Sequence, residues 1–137
     1  MANTEPVHDN RSITEHIVAE AQRWGYARVY PIGAISKGLK GEELAEIGEM
    51  SRAGAVAFSD DGKPVMNSEL MRRALSYAQH YGVPIIQHAE DLHLSGKGVM
   101  HEGEWSTRLG LAGIPGSAED VMVARDLILL EDSGGRY

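Results

Sequence analysis

The sequence predicts an α/β fold, read as a partial (β/α)8 barrel of the TIM type: about four βα units in a single domain over residues 1–137. Three observations carry this reading. Apolar runs begin at Ala27, Ala55 and Val83, 28 residues apart both times. None of these runs alternates polar with apolar residues, which is the pattern of strands buried on both faces, as in parallel sheets. Helical patterns lie between them, and a regular strand–helix alternation implies βα units. By rhythm alone, a flavodoxin-like open sheet fits the same spacing.

The elements follow in order. Residues 12–24, "SITEHIVAEAQRW", set Ile13, Ile17, Ala21 and Trp24 on one stripe, and Gly25 ends the helix. A strand is predicted over 27–32. Residues 42–53, with Leu44, Ile47 and Met50 at helical spacing, predict a second helix that stops at Gly54. The strand 55–58 follows. Residues 68–81 predict a helix capped by Asn67 and ended by Gly82. The strand 83–86 precedes a stretch from Leu92 to Gly116, long for a βα connection and therefore a candidate functional loop. A last helix is predicted over 118–131, with Ser117 and Asp120 in a capping-box-like pattern. No glycine-rich phosphate loop occurs.

Composition narrows the function. Acidic residues outnumber basic ones by 20 to 13, a formal net charge of −7, with no Lys/Arg cluster. That argues against nucleic acid and anionic membranes as partners. No apolar run approaches the roughly 20 residues of a membrane span. Cysteine is absent, so any metal must be held by imidazole and carboxylate; a reducing, cytoplasmic setting fits. The polar start, "MANTEPVHDN", reads like the loop after a strand, and the end, "LEDSGGRY", like the approach to another.

In parallel α/β folds the chemistry gathers at the strand C-terminal ends. After "AVAF" come Ser59, Asp60, Asp61 and Gly62; after "VPII" come Gln87, His88, Ala89, Glu90 and Asp91. A carboxylate and an imidazole on neighbouring strand ends suit zinc, which acidifies a water toward a pKa of about 7. Two donors fall short of the three protein ligands a catalytic zinc takes. Each feature has a plainer reading. "SDDG" also describes a tight turn, His88 a hydrogen-bonded core histidine, "HAED" a helix start. Asn3 alone would be a tail residue, the methionines fillers of the core or surface, and Arg125–Asp126 a structural ion pair. His16 and His80 read as solvent-facing helix positions. None of the other histidines completes a ligand set.

Six segments, in order, carry a resemblance: "MANTEPVHDN", "PIGAISKGLKGEEL", "AGAVAFSDDGKPV", "IIQHAED", "EGEWSTRLGLAGIPGSAEDVMVARD" and "SGGRY". Together they resemble the middle of type I dihydroorotases, of the amidohydrolase superfamily, over essentially the whole chain. Allantoinases and hydantoinases share the barrel, but the doubled Asp and the "GLAGIP" segment favour dihydroorotase. The resemblance implies a zinc hydrolase, with one or two ions, that interconverts N-carbamoyl-L-aspartate and dihydroorotate in pyrimidine biosynthesis. It implies Asp61 and His88 as metal ligands and Asn3 as a group that holds the substrate carboxylate. The family's His-x-His pair and its companion Arg precede the first motif here; the later metal-binding His and the catalytic Asp follow the last. The expectation is therefore an internal fragment with no catalytic residue of its own, inactive alone, and either self-associating or paired with a partner subunit. The competing expectations are a non-catalytic dihydroorotase-like subunit that supports a partner enzyme, another cyclic amidohydrolase such as an allantoinase, and a small α/β binding module.

Overall fold

The computed structural model describes all 137 residues and is an α/β arrangement in which short parallel strands alternate with helices. The helix α1 spans Arg11–Trp24. Its cap is Asn10, whose side chain accepts from the Ile13 amide at 3.3 Å, and Gly25 closes it at φ +67°. The strand β1, Ile32–Gly33, pairs in parallel with β2, Ala57–Phe58, with Ile32 opposite Ala57 and Gly33 opposite Phe58. Between them, α2 covers Ile47–Ala53. The helix α3 covers Ser68–Gln79, and the Asn67 side chain accepts from the Glu69 and Leu70 amides as its sequence position predicts.

Past α3 the chain runs beside β2, held by the bridge Phe58–Ile85 and by Phe58 N–H to Pro84 O (3.1 Å) and Ile86 N–H to Phe58 O (2.8 Å). Ile85 N–H in turn donates to Arg136 O at 2.9 Å, and on the other edge Ala34 N–H donates to His8 O at 2.8 Å. Neighbours along the sheet thus follow chain order: residues 2–8, β1, β2, 83–86, 134–137. The core lies between this sheet and the helices, around Ile35, Met50, Phe58, Met71, Leu75 and Ile85. Gly33 is a packing requirement there: a Cβ would sit 2.8 Å from Met50 Sδ and 3.0 Å from the Phe58 ring.

Four expectations need correction. The strand predicted over 27–32 pairs only from Pro31, whose carbonyl accepts from Val56; Ala27–Tyr30 are exposed. A continuous apolar run reports burial only where neighbours cover it, and nothing in this structure covers 27–30. The helix predicted over 42–53 begins only at Ile47. Residues 43–45 instead fold back on 35–37, through Lys37 N–H to Glu43 O and Ala45 N–H to Ile35 O, both 2.9 Å. The Leu44–Ile47–Met50 spacing misled because three-residue spacing is also met by a strand residue followed by a helix. The capping box at Ser117 is not formed. Gly116 is already helical and caps α6, Ser117–Ser133, while Ala118 and Glu119 amides donate to the Pro115 and Gly116 carbonyls.

The fourth correction concerns the long stretch 92–116, which is structured. It holds α4 (Leu92–Ser95), capped by Asp91, then the two-residue strand β3 (Met100–His101), α5 (Glu104–Leu109) and β4 (Gly113–Ile114). The strands β3 and β4 pair in parallel, with His101 opposite Ile114.

The doubled aspartate divides into two roles. Asp60 is 2% exposed and accepts from the Ile35 amide (2.8 Å), the Ser36 amide (2.9 Å) and the Ser36 hydroxyl. It therefore ties β2 to the turn after β1. Burial pushes its carboxyl above the ordinary 3.8, against the pull of the Ser36 and Ile35 donors. Asp60→Ala is expected to lower the unfolding free energy by about 2–4 kcal/mol, since buried donors lose their acceptor; urea denaturation measures this. Because the folded carboxyl holds its proton more tightly than the unfolded one, this group favours folding below pH 3.8 and loses that contribution as the pH rises through its folded pKa. Asp60→Asn cannot titrate, so its stability relative to the unaltered chain should rise with pH across that window; a pH-independent difference would contradict the assignment.

Exposure also generates an expectation about association. Trp24 is 60% and Tyr26 88% exposed, and with Val29 and Tyr30 they border an open groove along α1. On the sheet, Ile86 is exposed as well. An apolar surface of this extent beside open strand edges favours association. The 137-residue chain by itself is expected to elute from size exclusion as oligomer or aggregate; a sharp, thermally stable monomer peak would contradict this.

Candidate metal and substrate site

The ends of β2 and of segment 83–86 are placed by the Phe58–Ile85 bridge. Three residues beyond each bridge partner stand Asp61 and His88. Equal offsets on two parallel neighbours put both residues at the same end of the sheet. Along 83–88 burial alternates: Val83 and Ile85 are buried, Ile86 and His88 exposed. Side chains on a strand alternate faces, so His88 lies on the face opposite Ile85. Asp61 is half-buried, turns out of the strand at φ +29°, and donates its amide to the Ser59 hydroxyl at 3.1 Å.

His88 is 43% exposed and stands 3.1 Å from Glu90, Nε2 to Oε2. The Ser95 hydroxyl and then His88 hold the Glu90 carboxyl below its ordinary range. With the ring proton on Nε2 facing Glu90, the free lone pair is on Nδ1. Around this pair opens a cavity of about 500 Å3, lined by Gln87, His88, Glu90, His101 and Glu119 among others. Its walls are the strand end at 87–90, the start of α6 and the β3–β4 ribbon. Asp61 and Asn3 do not line it. Asn3 is exposed, in the loop that His8 N–H closes onto Ala2 O at 3.0 Å. No three His, Asp or Glu side chains converge as a group able to hold a metal ion.

Of the sequence-derived residues, then, the register brings Asp61 and His88 to adjacent strand ends, and Asn3 lies on the loop beside β1. His101 and Glu119 drew no assignment from the sequence. His101 reaches the cavity only because β3 pairs with β4, and neither two-residue strand has a period to detect. His8 has a structural explanation. It is fully buried, its Nδ1 3.1 Å from Ile32 O and its Nε2 2.6 Å from the Thr14 hydroxyl. Burial lowers its pKa below the ordinary 6.5. A neutral ring that donates from Nδ1 and accepts at Nε2 satisfies both partners.

The donor chemistry suits a zinc ion: a hard carboxylate oxygen and an imidazole nitrogen on neighbouring strand ends. No helix is long and apolar enough to cross a membrane.

Similarity to known proteins identifies the family of the chain. The chain is 63% identical over 136 residues to a dihydroorotase of Anaeromyxobacter dehalogenans (strain 2CP-C), covering 99% of this chain and 31% of that protein. It is 60% identical over 131 residues to a dihydroorotase of Acetivibrio thermocellus, covering 96% of the chain and 31% of the relative. With a dihydroorotase of Solibacter usitatus the identity is 58% over 137 residues, all of this chain and 32% of the relative. The chain thus spans about a third of the length of the curated relatives it matches. The sequence model of the family described as Dihydro-orotase-like matches residues 1–137, and with these identities the chain belongs to that family.

Proposed function

We propose that this chain serves a dihydroorotase, contributing about four βα units of a (β/α)8 barrel and part of the site that interconverts N-carbamoyl-L-aspartate and dihydroorotate in pyrimidine biosynthesis. The observation that carries this reading is the 58–63% identity, over essentially the whole chain, with proteins named dihydroorotase. The sheet order supports the barrel, because consecutive strands lie side by side, as in staves of a closed cylinder.

Within that reading, Asp61 and His88 are the residues that would hold zinc. Such an ion supplies Lewis acidity: it polarises an amide carbonyl and brings the pKa of water to about 7. The chain's own residues do the rest of the local work. Glu90 keeps the His88 ring proton on Nε2 and so orients the ring with Nδ1 free. Asn3, on the loop beside β1, is suited to donate its side-chain amide to a substrate carboxylate. In the hydrolytic direction water oxygen adds to the ring carbonyl carbon, the C–N bond breaks, and the proton goes to the departing nitrogen. Ring closure is the reverse.

In the full-length protein, Asp61→Ala and His88→Ala are each expected to lower bound zinc, measured by atomic emission. Cyclisation of N-carbamoyl-L-aspartate should fall by a factor of roughly 10² to 10⁴, the rate equivalent of the several kcal/mol that a Lewis acid contributes. Zinc content and rate unchanged in both variants would remove these residues from the site.

A further inference from the structure

A buried polar network ties the segment that follows Asp61 to the strand that carries His88, and it does so where backbone pairing stops. Past Ile86 no ladder bond joins the two strands. The Gln87 side chain takes over: its Oε1 accepts from Val65 N–H at 3.1 Å, and its Nε2 donates to Val65 O at 3.4 Å. A carboxamide that bonds both backbone groups of one residue imitates a rung of the ladder. The amide's second hydrogen goes to Asp126 Oδ2 at 3.2 Å.

Asp126 is fully buried on α6. Its Oδ1 accepts from Arg125 Nε (2.8 Å) and Nη2 (2.7 Å), and its Oδ2 also accepts from the Tyr137 hydroxyl at 3.2 Å. Arg125 meanwhile donates to the carbonyls of Met66 and Val65, both at 2.9 Å. Charge and hydrogen bonds are therefore balanced, and no buried side-chain polar atom in the chain lacks a partner. Burial, then the neighbouring Asp126 charge, raises the Tyr137 hydroxyl to about 12, so it stays a donor at any ordinary pH.

A structural role for Arg125 and Asp126 is one half of the explanation: they join α6 to the sheet. It leaves the position of Gln87 unexplained. Gln87 directly precedes His88, and Val65 lies four residues past Asp61 across Gly62 and Pro64. The orientation of the amide is also not free. With Asp126 on one side, only the NH2 end can face the helix, so the carbonyl end must face the Val65 amide.

We infer that Gln87, oriented by Asp126, is a positioning residue that sets the separation between the Asp61 and His88 strand ends and thereby the affinity of the metal they share. This rests on the reading of Asp61 and His88 as metal ligands. It adds that the geometry of that pair is fixed from the helix side, by groups that are not themselves metal ligands.

Gln87→Met keeps the side-chain volume and deletes the rung. In the full-length protein, zinc affinity, read by competition with a chromophoric chelator, should weaken 10- to 100-fold, the range found when partners behind metal ligands are removed. The d–d spectrum of the cobalt(II)-substituted protein should change with it. Met122→Ala, which loosens the same helix without removing any bond of the network, should leave both readouts unaltered. The unaltered protein supplies a second test. If the clamp strengthens metal binding, metal must by reciprocity strengthen the clamp, so stripping zinc should accelerate hydrogen exchange at the Val65 amide. Zinc affinity retained in Gln87→Met, or Val65 exchange indifferent to metal, overturns the inference while zinc uptake lost in Asp61→Ala leaves the metal reading standing. Absence of zinc uptake by the unaltered protein overturns both.

Discussion

The buried Asp60 carboxylate is the contact on which the upper end of this sheet depends. The named strands are two residues long, so backbone pairing alone joins neighbours over a single turn of pleat. What keeps their C-terminal ends in order is a set of side-chain acceptors that bond backbone amides of the next segment. Asp60 holds Ile35 and Ser36, Asp9 accepts from Gly38 N–H at 2.9 Å, and Gln87 holds Val65. Each replaces solvent around backbone groups that burial would otherwise leave without partners. The loops of such a sheet are thus built as rigid elements, which is what a site formed from several strand ends requires.

Electrostatics divides the same way. The ion pairs on helix surfaces, such as Arg11 with Glu15 and Arg108 with Glu104, have both partners more than half exposed. Solvent screens them, and they contribute little. The pair Arg125–Asp126 differs because Asp126 is sealed from water and Arg125 gives two further donors to the Val65 and Met66 carbonyls. A buried charge with every lone pair used does not relax, so it specifies one arrangement of helix against loop. The sequence reading of this dipeptide as an ion pair was correct, yet the pair acquires meaning only through Gln87, 39 residues earlier in the chain.

The legible parts of the chain were those governed by local rules. Asn67 before Ser68 and Gly25 after Trp24 mark helix ends because a cap and a left-handed glycine act within a few residues. The 28-residue rhythm revealed the parallel order because each βα unit repeats the same lengths. The family was legible too, through motifs such as "SDDG" and "GIPGSAED". The illegible parts were those decided across the chain. Residues 42–46 have helical spacing but fold back on 35–37, where amides of the turn after β1 needed partners. The stretch 92–116 reads as loop, because a parallel pair of two-residue strands leaves no periodic trace. His101 enters the cavity through that pair alone.

The doubled aspartate shows the boundary most clearly. Sequence alone determined that two carboxylates stand at the end of a buried strand, one strand away from an imidazole, since strand and turn propensities are local properties of "AVAFSDDG". Which carboxylate faces inward was a tertiary matter. Asp60 is the one that meets the free amides of Ile35 and Ser36, and those amides are available only because β1 lies beside β2. Asp61, one residue on, is released to turn out of the strand. The division arises because side-chain burial depends on what the neighbouring strand presents, and no stretch of residues around position 60 contains that information.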